Sequence, residues 1–260
     1  KDENIGKMEH LDAATLEEFM AYHKTYYGPN NAVLIVAGDI DTEETIELVK
    51  KYFDEVPRGN EVVRNFPKEE PISENVRAIA YDRNIQIPML LSSFRTPGFA
   101  SRDSYVLDMI STYLSSGKSS VLYKKLVDNQ KQALQTQVIN LGQVDYNIFA
   151  ILALPLGDVS LDTLLTEIEE EIEKVQNELI SERDHQKLLN KFESQFVNSN
   201  SSIAGIANSL ARYYLLYGDV TLINKEIDIY RSISREEIRS VAQKYLSPNQ
   251  RVDIEYLPGE

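Results

Sequence analysis

The sequence predicts an α+β fold with a mostly antiparallel sheet flanked by helices. Helical hydrophobic stripes interleave with short apolar segments that have the length of strands. In the second half of the chain, consecutive strand segments are separated by a short polar turn, which favours antiparallel pairing. A helix–turn–strand unit also occurs twice, near the two ends of the chain, which is typical of a repeated structure.

The first predicted helix begins at Thr15, because Thr15 and Glu18 form a capping box. Side chains that favour a buried face then follow at helical spacing: Leu16, Phe19, Met20 and His23. Residues 28–31 (GPNN) predict a turn. The apolar run at 32–38 (AVLIVAG) predicts a strand buried on both faces, and Asp41 is expected to cap the next helix.

Residues 56–75 contain four prolines or glycines, many charges and no apolar period, which predicts a connection between two regions. The second region opens with predicted strands at 76–81 and 86–94, followed by a helix from about Ser101. Strands at 133–142 and 146–155 are expected to pair across a turn. Long amphipathic helices then continue to about residue 245, and a strand closes the chain.

The repeated unit aligns residues 15–35 with residues 234–254 at a constant offset of 219 and without a gap. Each copy has a capping box, a helix, a Pro-Asn turn and a strand. The shared turn and register favour duplication over a chance recurrence of capped helices. We therefore expect the chain to hold the tail of one domain (residues 1–58), a linker (59–75) and one whole domain (76–260).

The composition excludes several classes of function. The 260 residues include no Cys, so there is no disulfide, thiolate metal site or cysteine nucleophile. With 27 basic and 41 acidic side chains, the net charge is −14, which argues against a nucleic-acid surface. No run of 18 apolar residues is present, so no membrane span is expected.

The three histidines do not form a recognisable metal site. An inverted zinc motif needs His-x-x-Glu-His, and the chain has Glu9-His10 but Gly6 in place of the first His. We expect His23 to be packed on the apolar face of its helix, and His185 to be solvated.

Other patterns also have simple structural interpretations. Gly117-Lys118-Ser119 lacks the strand and the earlier Gly of a phosphate-binding loop, so we interpret residues 115–120 as a polar loop before a helix. Asp39 and Asp41 follow a predicted strand and begin the next helix. Five acidic residues are expected to form the wet face of one amphipathic helix: Glu167, Glu169, Glu170, Glu171 and Glu173. The residues alone show no complete active site.

Three segments resemble the pitrilysin family of zinc metallopeptidases, which includes insulin-degrading enzyme, mitochondrial processing peptidase and bacterial zinc proteases. Residues 16–59 (LEEFMAYHKTYYGPNNAVLIVAGDIDTEETIELVKKYFDEVPRG) resemble the end of the family's first domain. Residues 115–138 (SSGKSSVLYKKLVDNQKQALQTQV) resemble a loop–helix–strand of its second domain. Residues 210–250 (LARYYLLYGDVTLINKEIDIYRSISREEIRSVAQKYLSPNQ) resemble the end of that domain.

The resemblance implies two homologous domains of the metallohydrolase fold of the mitochondrial processing peptidase type. Zinc would be held by the first domain, upstream of Lys1, and this chain would carry no catalytic residue and no metal ligand. In the family, an Arg and a Tyr seven residues later often hold the substrate peptide or the developing oxyanion. The alignment puts Val127 and Leu134 at those positions, and neither can donate a hydrogen bond.

Two functions remain open on this resemblance. The chain is expected to be the non-catalytic C-terminal part of a zinc metalloendopeptidase, closing over unfolded peptides that bind by strand addition. The alternative is a catalytically inactive structural or partner subunit of a peptidase-like complex. Either function implies a catalytic domain or a homologous catalytic subunit as partner, with a homo- or heterodimer possible and a bacterial periplasmic or envelope location slightly favoured over the cytoplasm.

Overall fold

The computed structural model describes residues 6–63, 65–68 and 70–259. Three helices lie in the first part of the chain: α1 (Met8–Ala13), α2 (Leu16–Tyr26) and α3 (Thr42–Phe53). The hydroxyl of Thr15 and the carboxylate of Glu18 cap α2 reciprocally, and Asp41 caps α3 by accepting the N–H of Glu44. Both predicted helix starts are therefore confirmed.

The second part of the chain is built on one five-stranded sheet. Its strands are β1 (Val76–Asp82), β2 (Met89–Pro97), β3 (Ala133–Leu141), β4 (Tyr146–Pro155) and β5 (Arg251–Pro258). The order across the sheet is β1-β5-β2-β4-β3, and every neighbouring pair is antiparallel except β1 with β5. The predicted class, an α+β fold with a mostly antiparallel sheet, is confirmed.

Helices cover one face of this sheet. They are α4 (Arg102–Ser115), α5 (Leu161–Asn177), α6 (Glu182–Ser199), α7 (Ile203–Arg212), α8 (Leu222–Arg231) and α9 (Arg235–Tyr245), with short π-helices at Tyr123–Asn129 and Tyr213–Tyr217. Strand β2 alternates strictly between buried and half-buried residues, so Leu90 and Phe94 face the helices. They join fully buried side chains of α4, such as Val106 and Ile110, in a single core.

The repeated unit has the same backbone in both copies. Helix α2 is followed by a 3₁₀ turn at Pro29–Asn31, and α9 is followed by one at Pro248–Gln250, so each boundary is offset by 219 residues. The residues that precede the two helices, Thr15 and Ser234, both have φ of −89°. The local structure of the unit is therefore set by its own capping and turn residues.

The surroundings of the two copies differ. In the second copy, β5 pairs with β1 on one side and β2 on the other. In the first copy, residues 32–37 pair with no strand of the described chain, so the prediction of a strand at 32–38 was wrong. A strand needs a neighbour to accept its backbone hydrogen bonds, and no strand of the described residues lies beside this segment.

Two details differ from the sequence expectations. Within the amphipathic helices expected up to about residue 245, α7 continues into a π-helix, which ends at Gly218 in the left-handed conformation (φ +69°). His23 is exposed rather than packed and stacks on the Tyr27 ring, with 5.2 Å between ring centroids, because no described element covers this side of α2.

Candidate functional site

The two positions singled out by the sequence lie on either side of one tight connection. Val127 belongs to the Tyr123–Asn129 π-helix and packs half-buried against the core, whereas Leu134 is near the start of β3 and is 45% exposed. Between them, the N–H of Gln130 donates to the carbonyl of Lys125 (2.9 Å) and that of Gln132 to the carbonyl of Leu126 (2.8 Å). Both side chains are hydrocarbon, so neither can hydrogen-bond a peptide carbonyl.

Ion pairs fix this π-helix to α5. The Lys125 ammonium lies 2.8 Å from Glu167, 2.7 Å from Glu170 and 3.1 Å from Glu171. Burial alone would lower the pKa of Lys125, but the hydrogen bonds that its ammonium donates to the three carboxylates outweigh burial and raise that pKa. These ion pairs hold the π-helical turn against α5. Such turns are frequent at functional sites.

The acidic stripe of α5 is only partly the wet face that the sequence predicts. Glu171 is 7% exposed and forms ion pairs with Lys125 and Lys174, and Glu169 lies 2.5 Å from the buried Arg251. Spacing alone gives no sign of these pairs, because the basic partners of Glu171 and Glu169 include residues of distant elements.

Strand β3 is an edge of the sheet, and one of its outward-facing residues, Val138, already has a hydrogen-bond partner. The N–H of Val138 donates to the Ser115 hydroxyl at 2.6 Å, so the backbone of Val138 points away from β4. In an antiparallel ladder this direction alternates, so the N–H and carbonyl of Thr136 also point outwards. Thr136 itself is only 8% exposed, whereas the side chains of its neighbours Gln135 and Gln137 are exposed on the sheet face opposite the helices, and an added strand would approach from that side.

The sheet face opposite the helices is apolar. Leu91 of β2 lies between Leu152 of β4 and Ile254 of β5 in the paired register, and all three are only half-buried. Ile148 and Leu141 form an exposed pair at the β3–β4 side of the same face. An apolar face of this extent is typical of a surface that contacts another element or partner.

A carboxyl group with a perturbed pKa lies inside the helix layer rather than in a cleft. Asp108 of α4 accepts hydrogen bonds from the Asn140 amide (2.8 Å) and the Tyr230 hydroxyl (3.2 Å). Burial raises the pKa of Asp108 to about 6, against those two hydrogen bonds and the charge of Arg212, which lower it. Its partners come from three elements, which indicates a role in packing.

The histidines of this chain do not fit a zinc site. His10 lies on the exposed helix α1, 4.0 Å from Glu9, and Gly6 supplies no ligand. The His185 ring nitrogen is 2.8 Å from the Ile233 carbonyl, so His185 connects α6 to the segment between α8 and α9. His185 is half-buried, and the expectation of a solvated residue was wrong. No group of three or more potential ligands lies together in the described part of the chain. Within the same ranges, no helix combines the length and the hydropathy required to cross a bilayer.

Comparisons with known proteins identify relatives of the whole chain. A family model described as the peptidase M16 inactive domain matches residues 13–192. The zinc protease PqqE of Helicobacter pylori is 26% identical over 252 residues, which cover 96% of this chain and 56% of that protein. The chain thus spans a little over half the length of this relative.

Solved structures share the fold. The crystal structure of a protease from Helicobacter pylori has a TM-score of 0.87 and 25% identity, covering 97% of this chain and 61% of that one. The first half of the periplasmic protease PqqL from Escherichia coli has a TM-score of 0.74 and 14% identity, covering 98% of this chain and 57% of that one.

Proposed function

Because the chain belongs to the M16 peptidase family, as an inactive C-terminal domain of that family, we propose that it closes over and helps to bind unfolded peptides for a zinc metalloendopeptidase. Catalysis is carried by a domain upstream of Lys1 or by a homologous catalytic subunit. Zinc is assigned to that catalytic part because relatives such as PqqE of Helicobacter pylori are zinc proteases.

The exposed first copy of the repeat supports the proposed domain organisation. Residues 1–58 complete the upstream domain, residues 59–75 are the linker between the two domains, and residues 76–260 form the second domain. In the second copy, β1, β2, α4 and α5 surround β5 and α9. The 219-residue register therefore supports upstream elements of the same kind around residues 32–37 and α2, where Phe19 and Leu34 are exposed.

The observation that carries the peptide-binding role is that the backbone N–H and carbonyl of Thr136 point outwards at the β3 edge. An extended peptide that pairs with the outward N–H and carbonyl of Thr136 gains main-chain hydrogen bonds that do not depend on its sequence. The neighbouring apolar side chains Leu134 and Val127 add contact area without a directional requirement. This mode of binding suits unfolded segments of varied sequence.

A catalytically inactive structural subunit is the second candidate. The hydrocarbon side chains of Val127 and Leu134 favour it, because they replace groups that would hold a peptide or an oxyanion in the resembled family. A periplasmic or envelope location is proposed from the fold shared with the periplasmic protease PqqL.

Binding to the β3 edge can be tested by removing one backbone donor. Thr136→Pro deletes the outward N–H but no hydrogen bond of the β3–β4 ladder, and an edge strand tolerates proline at such a position. Thr136→Val is the matched control, because it keeps that N–H and the side-chain volume. Anisotropy of a labelled, unstructured peptide should show affinity about 3- to 10-fold weaker for the proline variant, as expected for one lost hydrogen bond. Equal affinities of the two variants would refute strand addition at this edge.

A further inference from the structure

A small cavity of about 100 Å³ lies between the end of α4, the loop at residues 116–120 and helix α6. Three lysines line it, one from the helical turn after the loop and two from α6: Lys124, Lys187 and Lys191. The side chains of Ser116 and Ser119 lie at the same cavity, together with one carboxylate, that of Asp184. Sequence spacing does not predict this site, since its two sides are about 70 residues apart.

The positive charge in this cavity is not neutralised. None of the three lysines forms an ion pair with a carboxylate of the described residues. The adjacent Lys125, by contrast, has three carboxylate partners. Burial lowers the pKa of Lys191, and the charge of Lys187 lowers it further. Lys124 and Lys187 are exposed and Lys191 is half-buried, so their charges reach solvent at the cavity. In a chain of net charge −14, three lysines without ion pairs that converge on one cavity attract an anion from outside the chain.

The hydrogen-bond donors of the cavity are only partly used. Lys191 donates to the Ser116 hydroxyl oxygen, and Lys187 donates to the hydroxyl oxygen and the carbonyl of Ser119. Each serine therefore accepts with its oxygen and keeps its O–H available to donate. Asp184 is engaged elsewhere, because its carboxylate accepts the Ser181 hydroxyl at 2.7 Å. The cavity therefore has five donor groups, three ammonium groups and two hydroxyls, against the single carboxylate of Asp184.

We propose that this lysine–serine pocket binds a small oxyanion, either a carboxylate or a phosphate. Charge-assisted hydrogen bonds from ammonium groups to an oxyanion are about twice as strong as neutral ones, and the serine hydroxyls complete the set of donors. Two sources supply this chemistry: the carboxyl terminus of a bound peptide and free phosphate. The first source rests on the proposed peptide-binding function, whereas the second is independent of it.

Inorganic phosphate is the probe for the first experiment. It is titrated into the full chain by calorimetry, in a chloride buffer of constant ionic strength. The test variants are Lys191→Gln and Lys124→Gln, and Lys118→Gln is the control because Lys118 lies in the same loop but does not line the cavity. The Lys124 side chain makes no hydrogen bond to the described loop, and only its backbone N–H does, to the Ser120 carbonyl (3.1 Å), so Lys124→Gln keeps the hydrogen bonds from α6 to the two serines. We expect saturable binding that weakens at least 5-fold in both test variants and less than 2-fold in the control. Absence of saturable binding, or equal weakening in Lys118→Gln, would overturn the proposal.

The two sources are separated by competition with one peptide in two forms. If the peptide with a free carboxyl terminus displaces phosphate and its amidated form does not, the pocket takes the terminal carboxylate. If neither form displaces phosphate, the pocket takes the free ion. Displacement of phosphate by the amidated form, with no terminal charge, would contradict oxyanion recognition. Binding of the amidated peptide at the β3 edge, followed separately with the Thr136→Pro variant, keeps a failure of peptide binding distinct from a failure of this pocket.

Discussion

Phe19 and Ile238 occupy the same position in two copies of one structural unit, yet Ile238 is 1% exposed and Phe19 is 54% exposed. The two residues are 219 positions apart, and their helices have identical lengths and equivalent caps. The difference between them therefore comes from the surrounding elements and not from the unit itself. The difference in exposure between Phe19 and Ile238 allows a direct test of the proposed domain organisation.

In this chain, Ile238→Ala should lower the free energy of unfolding by about 2–5 kcal/mol, because it leaves a cavity in the core. Phe19→Ala should change it by less than about 0.5 kcal/mol, as is usual for an exposed residue. Urea denaturation measures both. In a longer protein that includes the upstream residues, we expect the cost of Phe19→Ala to rise to the range found for Ile238→Ala. An unchanged small cost there would contradict the proposed completion of an upstream domain.

Much of the local structure could be predicted from the sequence, because its causes are local. Capping at Thr15, Asp41 and Ser234, and the two Pro-Asn turns, depend on residues within a few positions of each other. The strand at 32–38 could not be assigned correctly, since strand formation depends on a neighbour that the sequence pattern does not identify. The parallel pairing of β1 with β5 joins residues more than 170 positions apart and has no local signal.

The polar interior was the least predictable part. The amphipathic stripe of α5 is regular, so nothing in it distinguishes the buried Glu171 from its exposed neighbours. The π-helix at Tyr123–Asn129 is also hidden, because its one extra residue per turn hardly changes the apolar spacing of Leu122 and Leu126. For the candidate site, the sequence selected the positions Val127 and Leu134 but not the lysine–serine pocket.

A buried ion pair in β5 should be costly to break on one side. Asp253 is 3% exposed and accepts hydrogen bonds from Ser92 (2.6 Å), Asn75 (2.8 Å) and Arg251 (2.9 Å). We expect Asp253→Ala to destabilise the fold by about 3–5 kcal/mol, because the Arg251 charge and the Ser92 hydroxyl lose a partner. The measurement is urea denaturation.

The first copy of the repeat suggests the matched control for this pair. At the positions equivalent to Arg251 and Asp253 it has Ala32 and Leu34, which carry no charge. The double variant Arg251→Met/Asp253→Leu should therefore recover part of the stability lost in Asp253→Ala, since no buried charge remains unpaired and Glu169, which loses Arg251, has a side chain that is 40% exposed. A double variant that is less stable than the single one would show that the pair itself stabilises the sheet.

Two carboxyl groups of α4 should respond to pH with opposite signs. The pKa of Asp108 is raised to about 6, so the folded state binds a proton between pH 4 and 6 that the unfolded state has released. This contribution favours folding at low pH and is lost as the pH rises through 6. The advantage of Asp108→Asn over the wild type in unfolding free energy should therefore grow by about 2–3 kcal/mol between pH 4 and pH 7.

Asp103, on the same helix, is the control for Asp108. Burial raises its pKa, but hydrogen bonds from Lys244 (2.8 Å) and Tyr245 (2.7 Å) outweigh burial and hold the pKa below its usual value. Its stabilising contribution is present above pH 4 and is lost as the pH falls below that. Asp103→Asn should accordingly be least stable relative to the wild type at neutral pH. A parallel response of the two variants in pH-dependent denaturation would contradict this assignment.

Zinc should be neither bound by this chain nor needed for its stability. Structural zinc contributes directly to the free energy of folding, so a chelator would lower the unfolding temperature of a chain that holds it. We expect EDTA to shift this temperature by less than about 1 °C, and metal analysis to find no stoichiometric zinc. A longer protein that carries the upstream catalytic domain should instead contain one zinc and lose peptide cleavage on chelation. One tightly held zinc per chain in residues 1–260 alone, lost in His10→Ala or His185→Ala, would overturn the assignment of zinc to the upstream part.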